Sequence, residues 1–132
     1  MKPVTRNIAP SAARDLLERI PRACLAFAGD QGPQAQPITL VWRHGRYLAG
    51  IPASTARRPG AGQEVVLLID DGVRFFDLRA LYIRGQAQPA TAPRDAPAGR
   101  VWFEVIPTKT VAWDYGSLRE MNATGAVDDA AR

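Results

Sequence analysis

The stretch ASTARRPGAG, residues 53–62, brings together two hydroxyls (Ser54, Thr55), two adjacent guanidiniums (Arg57, Arg58) and two glycines (Gly60, Gly62). Guanidinium forks meet phosphate or carboxylate oxygens two at a time, and hydroxyls add neutral donors. Glycines let main-chain N–H groups turn toward one point and form an anion-binding concavity. The same composition also describes a solvated, arginine-bearing loop whose Ser54 and Thr55 bond their own backbone. Either way, the chemistry on offer is the holding of an anion, not the breaking of a bond.

Acids, bases and nucleophiles are scarce elsewhere. His44 is the single histidine and sits in WRHGR, where a hairpin turn accounts for it. Cys24, the single cysteine, lies in an apolar strand pattern and reads as a small buried hydrophobe. One cysteine and one histidine exclude an intrachain disulfide, a thiolate cluster and most zinc sites. Asp70 and Asp71 precede Gly72, where aspartates serve turns. The G-x-G of GAGQE runs into an apolar strand pattern instead of opening a helix, so it is no dinucleotide fingerprint. No Walker-type G-x-x-x-x-G-K occurs. If this chain is an enzyme, the difficult step belongs to a bound cofactor.

The elements that must position the loop are mostly strands. SAARDLLERI, 11–20, places Ala13, Leu16, Leu17 and Ile20 on one helical face and ends at Pro21. ACLAFAG, 23–29, leads to the turn cluster DQGP. QPITLVWR, 36–43, alternates and turns through His44-Gly45 into RYLAGI, 46–51, a hairpin. VVLLID, 65–70, is apolar on both faces and reads as a central strand. LYIRGQAQ, 81–88, puts Leu81, Ile83, Gly85 and Ala87 on one side, with Arg84 outward beside an acidic neighbour. PATAPRDAPAG, 89–99, is irregular. RVWFEVIPTKTVAW, 100–113, is one strand or two, broken or bulged at Pro107. Residues 1–121 form one domain, and the small and acidic residues from 122 to 132 form a disordered tail. Strands without helical crossovers point to a small antiparallel barrel.

At 132 residues the chain suffices for one core. Seventeen basic against thirteen acidic residues give +4, and only Lys2 and Lys109 are lysines. Only Arg57 and Arg58 are adjacent arginines, so the charge is not gathered along one face as a polyanion binder requires. The N-terminal MKPVTRNIAP has no apolar leader core, and no run reaches the ~20 apolar residues of a membrane span. The expected setting is cytoplasmic, away from the membrane.

In chain order, the front helix, ACLAF, PITLVWRHGRYLAG, ASTARR, VVLLIDDG, LYIRGQAQ and VWFEVIPTKTVAWDYGSLR resemble the pyridoxamine 5′-phosphate oxidase-like family. The resemblance spans about residues 11–120, with the G-x-A around Gly85 and the WDYG ending as its most suggestive parts. It implies a mainly β, six-stranded antiparallel split β-barrel with a short N-terminal helix, assembled as a homodimer with FMN in an intersubunit groove. It further implies hydroxyl donors at Ser54 and Thr55 and phosphate clamps at Arg57 and Arg58. Thr39 and Val41 would lie along the flavin ring, and Trp113 would approach it, from the partner chain if not its own. The family's loop lysine has no counterpart, because Thr55 or Ala56 stands there, and RPGAG interrupts the short helix that usually follows. Trp42 and Trp102 are read as packing residues.

The leading expectation is an FMN-binding, oxidoreductase-like protein acting on a small molecule through the flavin. The alternative is a split-barrel binding module that has lost FMN and takes haem, a deazaflavin coenzyme or no cofactor. A single-strand nucleic-acid binder would rest on only two aromatic–arginine pairs, Tyr82 with Arg84 and Trp42 with Arg43.

Overall fold

A computed structural model describes residues 7–20, 22–71 and 78–114. The tail from 122 and the end of WDYG lie outside these residues. In order, the elements are β1 (Asn7–Ile8), a 3₁₀ turn (Pro10–Ala13), α1 (Arg14–Arg19), β2 (Ala23–Gly29), β3 (Gly32–Pro37), β4 (Thr39–Arg43), β5 (Arg46–Pro52), β6 (Glu64–Asp71), β7 (Arg79–Pro89) and β8 (Arg100–Asp114). The short helix thus starts as 3₁₀ at Pro10. It ends where Ile20 turns left-handed (φ 42°) and its N–H closes on the Leu16 carbonyl.

All pairings are antiparallel, in the order β3-β2-β6-β7-β8-β5-β4, with β1 added on β8. β3 and β4 are consecutive in the chain, joined at Ile38, yet they stand at opposite ends of that order. The sheet must therefore curl until its ends meet. At the junction the Ile38 N–H donates to the Ala23 carbonyl at 3.1 Å. The expected six strands become eight. The stretch read as one strand from 36 starts at Gly32 and splits at Ile38, where it leaves one neighbour for another; β1 is the other addition. β6 is central, between β2 and β7, with Val65, Leu67 and Ile69 buried and Val66 and Leu68 half-buried on the other face.

Alternation supplies the core. Leu25 and Phe27, Val65, Leu67 and Ile69, Leu81 and Ile83, and Phe103 and Val105 point inward, and Ala13, Leu16 and Leu17 of the helical segment pack against them. Trp42 packs against this core with the Arg14 guanidinium 5.1 Å from its ring centroid. Trp102 points to the opposite face, yet is only 4 % exposed; its ring lies over Gly50. Both tryptophans therefore serve packing. β8 is one strand with a bulge: Arg84 pairs with Lys109 but Gly85 pairs with Pro107, so Thr108 is the extra residue. Pro107, which has no N–H to give the ladder, sits at this irregularity.

Residues 90–99 are irregular, as their prolines dictate, but they are anchored. The Ala90 N–H donates to the Trp102 carbonyl, the Ala53 N–H to the Gly99 carbonyl, and Arg43 Nη1 to the Arg94 carbonyl at 2.8 Å. The connection thus reaches back over the outer face of β4, β5 and β8.

Candidate functional site

The loop after β5 opens with a turn in which the Thr55 N–H donates to the Pro52 carbonyl at 3.0 Å. Ser54 is exposed and Thr55 half-buried. Beyond it Pro59 is buried, pinning the loop to the barrel, while Arg57 and Arg58 stay at the surface. Arg57 donates to Gln34 Oε1 at 3.1 Å and to Gln31 Oε1, and Gln36 Nε2 donates back to the Arg57 carbonyl. Arg58 folds onto its own loop, with Nε on the Thr55 carbonyl at 3.1 Å and Nη2 on the Ala53 carbonyl at 2.8 Å. Both residues are exposed, yet neither side chain is without a partner. Each is held in place by neutral oxygens, with no carboxylate partner among the described residues.

The expected glycine concavity is not formed. The Gly60 N–H is taken by Gln63 Oε1 at 2.8 Å and the Gly62 N–H by the Ala87 carbonyl at 2.7 Å. Gly62 does adopt positive φ (80°), but in order to join the loop to β7, and the donors an anion would need are already spent. Any anion at this loop is held by side chains.

Four of the predicted residues line two neighbouring clefts, Ser54 and Val41 line neither, and Trp113 lies at the other end of β8. Arg57 and Arg58 line a cleft of about 350 Å³ with Gly60, Gln63 and the β2–β3 turn at Asp30 and Gln31. Thr39 and Thr55 line a second, of about 370 Å³, with Gln36, Pro52 and Arg100. The two share the loop as their common wall. Val41 follows Thr39 on the outer face of β4, opposite Leu48. Trp113 is at the far end of β8, thirteen residues from Arg100, roughly 40 Å of extended chain. There it meets Tyr82 with ring centroids 5.8 Å apart. It lines neither cleft.

Sequence reading missed Arg100, Gln31, Gln34 and Gln63. Gln31 and Gln34 stand in a turn cluster, and nothing local says that their amides will meet Arg57. Three other expectations, for Asp70 and Asp71, for Cys24 and for Arg84, are corrected. Asp70 and Asp71 are the last residues of β6, not turn residues, and both serve ion pairs: Arg22 on Asp70 at 2.9 Å, and Arg19 and Arg79 on Asp71. Cys24 is half-buried and faces outward beside Leu68, because Leu25 takes the inward position. His44 occupies the β4–β5 turn with φ 53°, as expected. Arg84 has no carboxylate partner among the described residues and lies opposite Lys109.

The strongest electrostatics lie at the helix, away from the loop. Hydrogen bonding from Arg79 holds the Asp15 carboxyl below its ordinary range, against a smaller opposing effect of burial. At Asp71 burial pushes upward, but Arg19 and the Arg79 N–H together prevail and its carboxyl is also lowered. Arg46 grips Glu104 with two bonds, 2.8 and 3.1 Å, and lowers that carboxyl too. These groups hold structure together; none stands as a proton donor or acceptor in a cleft. No group of three or more His, Cys, Asp or Glu that could hold a metal gathers among the described residues.

No family model matches the chain, and no curated protein is similar to it in sequence. Solved structures do match. The FAD-binding protein of Mycobacterium smegmatis is similar at 19 % identity and a TM-score of 0.62, over 80 % of this chain and 94 % of that one. An FAD-binding protein of Mesorhizobium loti matches at 13 % identity and TM-score 0.59, over 83 % and 95 %. A candidate pyridoxamine 5′-phosphate oxidase of Corynebacterium glutamicum matches at 8 % identity and TM-score 0.60, over 86 % and 94 %. The curled antiparallel sheet with its short helix is the split barrel of the pyridoxamine 5′-phosphate oxidase-like proteins. Among the described residues no helix is long and apolar enough to cross a membrane.

Proposed function

We propose that this chain binds a flavin nucleotide, FMN, and serves as a flavin-dependent oxidoreductase-like protein on a small molecule. One observation carries the reading: on a fold shared with FAD-binding proteins, the loop after β5 presents two guanidiniums whose hydrogen-bond partners among the described residues are neutral oxygens. The donor set fits the group. Arg57 and Arg58, already oriented, keep N–H groups for phosphate oxygens, with Ser54 and Thr55 adding hydroxyls. Thr39 and Val41 offer a flat β-surface for the planar ring, the mix of apolar wall and a few polar groups that such sites use. A bound flavin supplies the electron or hydride transfer; the protein's part is to hold, orient and shield it.

The homodimer belongs to the same proposal. Ala26, Val66, Leu68, Tyr82, Val111 and Trp113 lie on the outward faces of β2, β6, β7 and β8 and are half-buried. Burying this apolar face against a second copy would bring each Trp113 to a position that its own chain's loop cannot offer.

The other reading, a module without FMN that takes haem, a deazaflavin coenzyme or nothing, draws on the spent glycine N–H groups and on the bonds that Arg58 makes to its own loop. Purified protein mixed with FMN and then desalted is expected to stay yellow, and R57A/R58A to lose the colour. Colourless wild-type protein, or a haem spectrum as purified, would replace the flavin reading with the second.

A further inference from the structure

Arg100 opens β8 opposite Pro52 and belongs to none of the sequence motifs. Its neighbours across the second cleft are Thr39 from β4 and Thr55 from the loop, so three separate elements converge on about 370 Å³ of space. Its Nε is buried and has no hydrogen-bond partner. No carboxylate lines the cleft, whose other walls are Gln36, Pro37, Ile38 and Pro52. Other arginines of the described residues differ on this point: Arg57 rests on Gln31 and Gln34, Arg58 on two loop carbonyls, Arg43 on the Arg94 carbonyl and Arg46 on Glu104.

A buried donor of a charged group without an acceptor is unfavourable, since it has left water without a replacement. Proteins relieve such a group with an ion pair, a water or a ligand. A guanidinium that shares a cleft with Thr55, with no carboxylate among the lining residues, matches a phosphate group, which takes the fork on two oxygens and leaves another for a hydroxyl donor. The partial exclusion of water strengthens that attraction.

We propose that Arg100, with Thr55, is an anion-binding residue that holds a phosphate group. The inference rests on the flavin reading only for what bears the phosphate: in that reading Arg100 is a third cation of the nucleotide site, and the one whose buried Nε has no partner among the described residues.

The test uses the ¹⁵N-labelled full chain titrated with inorganic phosphate. The Arg Nε–H resonance that disappears in R100Q should shift saturably in the wild type. The apparent Kd for phosphate should rise at least tenfold in R100Q and less in R100K, with unfolding midpoints showing that both variants fold. A wild-type resonance that stays in place, or an R100Q affinity within twofold of wild type, overturns the proposal; should R100Q not fold, the wild-type resonance and R100K decide it. Riboflavin, FMN and FAD then separate the two claims. Tighter binding of FMN than of riboflavin that survives unchanged in R100Q leaves the flavin reading standing and removes Arg100 from it. A phosphate response at Arg100 with no flavin bound keeps the anion site and removes the flavin.

Discussion

A methyl group on Gly85 would lie 2.3 Å from the Ile106 carbonyl oxygen and 2.8 Å from its carbon. The close approach follows from the bulge, where Thr108 is the extra residue and its hydroxyl donates to the Arg84 carbonyl at 3.1 Å. Backbone cannot retreat as a flexible side chain can, so any substitution must push β7 and β8 apart. G85A is expected to destabilise the protein by about 3 kcal/mol, lowering the thermal midpoint by roughly 10 °C for a domain of this size; a midpoint within 2 °C of wild type, roughly the effect of a neutral surface change, would show that the ladder gives way. The residue's place on the buried side of its strand was legible from alternation. That it must be glycine was not, because the reason is a carbonyl on another strand.

Between elements, the helix is tied to the sheet by charge. Asp15 on α1 meets Arg79 at the start of β7, and Arg79 and Arg19 both reach Asp71 at the end of β6. The folded carboxyls of Asp15 and Asp71 titrate below the 3.8 of the free side chain. Between the two values the unfolded chain binds more protons than the folded one, so stability rises with pH there. The contribution is complete above the unfolded value and lost as pH falls through the folded one. The unfolding midpoint of the wild type is expected to drop on acidification below about pH 4, and D71N to be less stable at neutral pH and to show a shallower acid limb. Equal acid limbs in wild type and D71N would remove Asp71 from the account. The effect is small for Asp15, whose side chain is 43 % exposed and screened by solvent. The proline-rich 90–99 connection makes a related point: its composition rules out a helix, but its three anchors depend on partners that lie far away in sequence, Arg43 among them.

At the scale of the molecule the outstanding question is assembly. An outward face carrying Leu68, Tyr82, Val111 and Trp113 beside the half-buried Cys24 is apolar enough to favour self-association. Light scattering on the wild type is expected to give twice the 14.4 kDa of one chain, and L68E to shift the mass toward a single chain. A wild-type mass of one chain would leave Trp113 without a route to the loop of a second copy. The amino-acid sequence by itself determined most of the strands, the helix face, the irregularity of 90–99 and the arginine-bearing loop, because alternation, helical spacing and proline act within a few residues. Only the tertiary structure decided that Asp70 and Asp71 are ion-paired, that the glycine N–H groups are spent, and that Thr39, Thr55 and Arg100 share a cleft. Those outcomes depend on the register of strands and the curl of the sheet, which bring together residues that no local pattern relates.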